Sequence, residues 1–258
     1  MSDARESITH EIRDGIAEVV MCRPPVNALD VASWHRLAEV LRALGASRDV
    51  RVVVLRAEGK GFNAGVDIKE MQTAGGGHDA LLGANRGCFA AFAAVYDCEV
   101  PVIAAVHGYC LGGGIGLVGN ADVIVASTDA TFGLPEVDRG ALGAATHLSR
   151  LVPQHKMRAM VYTSARASAA ELHAFGSVLR VVERAELRGA ALDVAREIAA
   201  KSPTVIRAAK QSLNGIDLMD VKRSYRFEQG FTFELNLSGV ADEARDAFVA
   251  KRAATFTK

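Results

Sequence analysis

The chain has 258 residues, half of them hydrophobic, which is enough to bury a sizeable core and argues against a disordered segment. Its 30 basic and 30 acidic residues cancel, so it carries no global field for nucleic acid or an anionic membrane, and a small molecule is the expected partner. Cys22, Cys88, Cys98 and Cys110 form no CxxC pair and share no metal-ligand histidine spacing, which argues against a disulfide framework or a zinc site.

In chain order, ITHEIRDG (8–15) and IAEVVMCR (16–23) carry strand signals, residues 30–46 carry helical periodicity, and RVVVLRAE (51–58) is a further strand. A helix over 81–96 precedes the apolar run PVIAAVHG (101–108), and a second short helix precedes ADVIVAST (121–128). The β-branched character of these runs predicts buried strands. Beyond Glu136 helical periodicity dominates, interrupted by one short strand in SVLRVV (177–182). With no Ser/Pro-rich linker between the halves, one α/β domain spanning 1–258 is expected, with 1–195 approximately its core and 196–258 a helical C-terminal extension. The charged N-terminus lacks a secretory apolar segment and no run is long enough to span a bilayer, so a soluble cytoplasmic protein is expected.

Two glycine-rich turns fall where a strand feeds a helix: GKGFNAGVDIKEM (59–71) and HGYCLGGGIGLVG (107–119). Glycine admits close backbone approach and a helix start presents unpaired N–H groups, so together the turns could form an oxyanion hole. Each taken alone reads equally as a tight turn. Neither fits the dinucleotide fingerprint, since no acidic residue caps a strand at the expected distance of about twenty residues, and there is no GK[ST] phosphate loop.

Together with PPVNALD (24–30), ADVIVASTDATFGLPEV (121–137) and AFVAKR (247–252), these turns make the chain resemble the crotonase, or enoyl-CoA hydratase/isomerase, superfamily nearly end to end. That resemblance implies a spiral of ββα turns capped by C-terminal helices, a coenzyme A thioester as substrate with no further cofactor and no metal, and a homotrimer or a dimer of trimers. It places the oxyanion donors at the backbone N–H groups of Val66 and Gly113. It puts Ala64, Val66, Lys69 and Lys251 against coenzyme A, Lys251 from a neighbouring subunit. As isolated residues the two lysines read as solvated surface charges.

Hydratases of this family use two glutamates, but this sequence keeps only Glu136 of FGLPEV and has Gly116 at the other position, so ordinary hydration is not expected. One carboxylate suffices for a double-bond isomerase or for activating one water. By itself Glu136 also fits a solvated loop carboxylate near a helix start. Asp138, Arg139 and His147 follow in the same segment; His147 reads as a second acid/base group or as a packed histidine, and His107, Tyr109 and Cys110 as pocket or packing residues. In finer detail, ANRGCFAAF, FGLPEVDRGALGAATHLSRLVPQH and EQGFTFELNLSGVADE resemble the family members that hydrolytically open the last steroid rings in bacterial cholesterol breakdown. Competing readings are an isomerase, an atypical hydratase and a non-catalytic acyl-CoA-binding scaffold. RNA binding has no support, because residues 201–210 carry only three basic charges among apolar residues.

Overall fold

The computed structural model describes residues 4–73 and 78–255, so the first and last three residues of the expected 1–258 unit lie outside it. A short helical turn, α1 (Ala4–Ser7), precedes an antiparallel hairpin of β1 (Ile8–Arg13) and β2 (Ile16–Met21). Helix α2 (Val31–Ala46) follows; Asp30 caps it, its carboxylate accepting from the Ser33 N–H at 2.8 Å. One stripe of α2, with Trp34, Leu37, Leu41 and Leu44, is buried. Each large side chain so enclosed contributes about 1.5–3 kcal/mol.

The chain then runs through β3 (Val52–Ala57), α3 (Ile68–Thr73), α4 (His78–Tyr96), β4 (Val102–Val106), β5 (Tyr109–Leu111), α5 (Gly113–Val118), β6 (Val123–Ser127) and β7 (Thr131–Gly133). A single turn of 3-10 helix at Val137–Arg139 leads to α6 (Ala145–Leu148), α7 (Gln154–Thr163), β8 (Arg166–Ser168), α8 (Ala169–Ala174), β9 (Arg180–Val182) and α9 (Leu187–Ala199). Among the described residues one sheet has the order β1-β2-β3-β4-β6-β9, parallel from β2 onward, and a second has the order β5-β7-β8. Successive turns of chain thus place a strand in the first sheet, a strand in the second, then a helix. This is the expected ββα spiral.

Both faces of the first sheet are covered, which is why its strands read as apolar runs rather than alternations. Val53 and Leu55 pack with α2 and α4 on one side, and Val52, Val54, Ile103 and Val125 pack with α9 on the other. The approximate division near residue 195 falls in the last turns of α9, whose Leu187, Ala191, Val194 and Ala195 belong to this core. The extension therefore begins after α9, with α10 (Pro203–Gly215), α11 (Val221–Leu237) and α12 (Val240–Val249). Helix α11 turns back over the core: Gln229 Nε2 donates to Asn85 on α4, while the Glu228 carboxylate accepts from the N–H groups of Ala145 and Thr146, both at 2.8 Å.

Candidate active site

The second sheet continues beyond its named strands through two parallel bridges, Leu29 with Val66 and Asn63 with Cys110. Two asparagines hold the first turn. Asn27 donates to the carbonyls of Glu58 and Gly61 at 2.7 and 2.8 Å; Asn63 donates to the Asn27 carbonyl at 2.7 Å and accepts from the Gly65 N–H at 2.8 Å. In the Val66 bridge, Leu29 bonds the backbone of Gly65 and Asp67, so the N–H of Val66 itself faces away from Leu29. The second turn comes alongside: a Cβ on Gly65, which has φ +89°, would lie 3.2 Å from the nitrogen of Gly113. Gly113 opens α5 and has no acceptor within its helix. Among the described residues neither the Val66 nor the Gly113 N–H has a protein acceptor, and both residues line one cavity of about 490 Å³, a volume suited to a small-molecule ligand.

Glu136 projects into the same cavity from the chain after β7. Its carboxyl rests against the second turn, 2.6 Å from where a Cβ on Gly112 would stand, so glycine at 112 serves both its φ of +56° and this contact. The residue as a whole is half-buried, but Oε2 is enclosed and has no hydrogen-bond partner. Burial raises its pKa from 4.5 to about 8; a backbone hydrogen bond and the Arg139 charge oppose the rise, and Glu228 adds to it. Cys88 lines the cavity nearby, and burial together with the Glu136 charge pushes its thiol pKa up, away from thiolate chemistry.

No second carboxylate faces Glu136 from position 116, and the reason is steric as well as chemical. A Cβ on Gly116 would fall 2.2 Å from Cζ of Phe92, so the phenyl ring occupies the room that a side chain there would need. Phe92 is buried in an aromatic cluster with Trp34, His147 and Tyr225 and forms part of the cavity wall.

The remaining candidates separate by position. Ala64 and Val66 line the cavity, and Lys69 stands exposed at its rim. Lys251 is exposed on the turn after α12 and does not line its own chain's cavity. His147 is not brought to the cavity: it borders a separate small void, with Phe92 and Tyr225 forming walls of both spaces. Its two ring nitrogens are buried without partners, and burial, with the charge of Arg150, lowers its pKa to about 3, so the imidazole is neutral. Asp138 is exposed outside the cavity, whereas its neighbour Arg139 lines it. Tyr109 also lines the cavity, Cys110 is buried in the core, and His107 borders a different, polar cavity with Arg56, Arg184 and Arg188.

Among the cavity residues to which the sequence gave no role are Phe92, which reads as ordinary helix core, and Thr232, Asn236 and Arg245 on the C-terminal helices. It also gave no role to Asn27 and Asn63, although an asparagine beside glycines in a turn is a recognisable signal for side-chain bonding to the backbone. No three His, Cys, Asp or Glu side chains converge as a metal site among the described residues, and no helix there is long and apolar enough to cross a membrane.

The enoyl-CoA hydratase/isomerase family profile matches residues 11–258. A Mycobacterium tuberculosis protein named (7aS)-7a-methyl-1,5-dioxo-2,3,5,6,7,7a-hexahydro-1H-indene-carboxyl-CoA hydrolase is 68% identical over 237 residues, covering 92% of this chain and 96% of its own. A Rhodococcus jostii protein of the same name is 64% identical over 236 residues, covering 92% and 91%. Among solved structures, carnitinyl-CoA hydratase from Mycobacterium avium aligns with a TM-score of 0.85 at 26% identity over 98% of this chain and 99% of that one. By this match over most of its length, and by its ββα spiral, the chain belongs to the enoyl-CoA hydratase/isomerase, or crotonase, family, whose members act on coenzyme A thioesters.

Proposed function

We propose that the protein hydrolyses a carbon–carbon bond in a bicyclic, steroid-derived keto-acyl coenzyme A ester. The carrying observation is the combination in one cavity of two free N–H donors with an enclosed, unpartnered carboxylate oxygen on Glu136, the room for a side chain at position 116 being filled by Phe92. The two relatives named as hydrolases of such an ester support the reading.

In the compound of the relatives' name a ketone at ring position 1 adjoins the quaternary carbon 7a. Glu136 would take a proton from water as the water oxygen bonds to the ketone carbon. The tetrahedral adduct then collapses, the bond to carbon 7a breaks, and its electron pair passes through the conjugated system to the thioester oxygen. Val66 and Gly113 hold that oxygen; in other enzymes one such donor is worth about 2.7–4 kcal/mol of barrier. Carbon finally regains a proton and the former ketone carbon becomes a carboxylate still tethered through the rest of the opened ring, so the net change is addition of one water. Ala64 and Val66 would flank the coenzyme A chain, with Lys69 at the mouth and Lys251 reaching a neighbouring subunit's ligand. A trimer or pair of trimers is supported by exposed apolar residues on the last helices, among them Leu213, Phe227 and Leu237, and a reducing cytoplasmic setting by the free thiols.

The test is a mass-spectrometric panel of coenzyme A esters in water labelled with oxygen-18. Ring opening of a bicyclic keto ester with label in the new carboxylate is expected. Unlabelled product with only a moved double bond would make the protein an isomerase.

A further inference from the structure

The cavity has a cationic side that the thioester chemistry above leaves unused. Two arginines line it, Arg139 and Arg245. Arg245 is committed to its own helix and its neighbour, donating to Asn236 and pairing with Asp242. Arg139 is not. Its side chain makes one hydrogen bond, from Nη1 to the Pro135 carbonyl at 3.2 Å, and forms no ion pair among the described residues. Its Nε–H is enclosed without an acceptor, and its guanidinium lies 4.3 Å from the centre of the Phe248 ring.

A guanidinium offers five N–H donors, and most of these have no protein acceptor. Leaving such a group half-buried and unpaired is costly, and burial lowers its pKa. That arrangement suits a ligand oxygen that becomes negative during the reaction. Arg139 stands three residues after Glu136, on the turn that the carboxylate itself begins, so both groups belong to one wall.

We infer that Arg139 is a catalytic residue that receives the oxygen of the ring ketone under attack, giving the cavity a second oxyanion site opposite in role to Val66 and Gly113. This rests on the ring-opening reading. As water oxygen bonds to the ketone carbon and Glu136 takes the proton, the carbonyl π electrons move onto the oxygen held by Arg139. When the carbonyl re-forms and the carbon–carbon bond breaks, that pair returns, and Arg139 then faces the new carboxylate. The thioester oxygen and the cleaved carbonyl are thereby held at separate places, which a simple enoyl ester, lacking the ketone, cannot exploit.

The test compares wild type with Arg139→Ala and Arg139→Lys on the bicyclic keto ester. Loss of the donor group should lower kcat by about 100-fold or more in R139A, with lysine restoring only part and added guanidinium restoring more. Binding of a coenzyme A thioether should change little. Arg139 also acts on Glu136, alongside Glu228 of α11, and is itself faced by Asp138 and by Arg166 of β8, so R139A shifts the rising limb of the pH–rate profile upward. If R139A equals wild type at a pH above that limb, Arg139 only tunes the carboxylate and the inference fails. It also fails if kcat is unchanged at every pH while wild type opens the ring. In the unsubstituted enzyme the ring-opened carboxylate should bind more tightly than its carboxamide; equal binding overturns the inference even if the variants do not fold. Failure of wild type to incorporate water oxygen into any ring ester would instead overturn the ring-opening reading.

Discussion

Replacing Gly116 by alanine tests how tightly the aromatic wall excludes a second acid/base group. The new Cβ would stand 2.2, 2.3 and 2.6 Å from three atoms of the Phe92 ring. The ring has little room to retreat, since Trp34, Tyr225 and His147 surround it with centroids at 5.7, 5.2 and 5.1 Å. Overpacking of this kind costs about 1–3 kcal/mol or more, against a gain of roughly 0.5–1 kcal/mol for alanine over glycine within a helix. Sterics should win, with a net loss of about 1–2 kcal/mol and a fall in Tm of roughly 2–8 °C. Phe92→Leu vacates much of the space, so the F92L/G116A pair should be less destabilised than the two single losses added, by at least about 1 kcal/mol. Chemical denaturation of all four proteins provides the measurement. An undiminished stability of G116A, or additivity within about 0.5 kcal/mol, would refute the steric argument. For function, Gly116→Glu alone should confer no hydration of crotonyl-CoA, because the carboxylate has nowhere to go unless Phe92 is shortened as well.

Glu136→Gln should reduce turnover by about 100- to 10,000-fold with little change in ligand affinity, as expected for loss of a general base, measured by labelled-water incorporation. Because the base acts when ionised and its pKa in the ligand-free protein is about 8, kcat/KM should rise about tenfold per pH unit below that value and level off above it; a flat profile from pH 6 to 9 would contradict the enclosure of the carboxyl. The same raised pKa means that the folded protein binds the extra proton between 4.5 and about 8, so this group's contribution to stability falls as pH rises through that window. E136Q should accordingly gain thermal stability over wild type toward alkaline pH, with the gap closing toward pH 5. His147→Leu should keep turnover within about tenfold, since the imidazole lies behind Phe92 and Tyr225; a loss in the general-base range would return an acid/base role to it.

Much of this arrangement is legible in the chain itself. Strand runs such as VVVLRA and VIAAV, the helical stripe of Trp34, Leu37 and Leu41, and the glycine turns at strand ends are local patterns, because period and turn chemistry are set by residues a few positions apart. The retained Glu136 and the empty position 116 are likewise readable one residue at a time. The three-residue strands β5, β7 and β8 are too short to show a period, so YCL reads as part of a turn although it pairs in the second sheet. What tertiary structure alone decided is which side chains share a space. Phe92, on a helix 24 positions before Gly116, fills the void at that glycine, and the same ring helps to screen His147, only 11 positions after Glu136, from the cavity. The C-terminal helices supply Thr232, Asn236 and Arg245 from about 100 positions beyond the carboxylate they surround. Periodicity tells each helix which face to bury, but cavity walls arise where distant faces meet, and that meeting depends on packing the whole spiral.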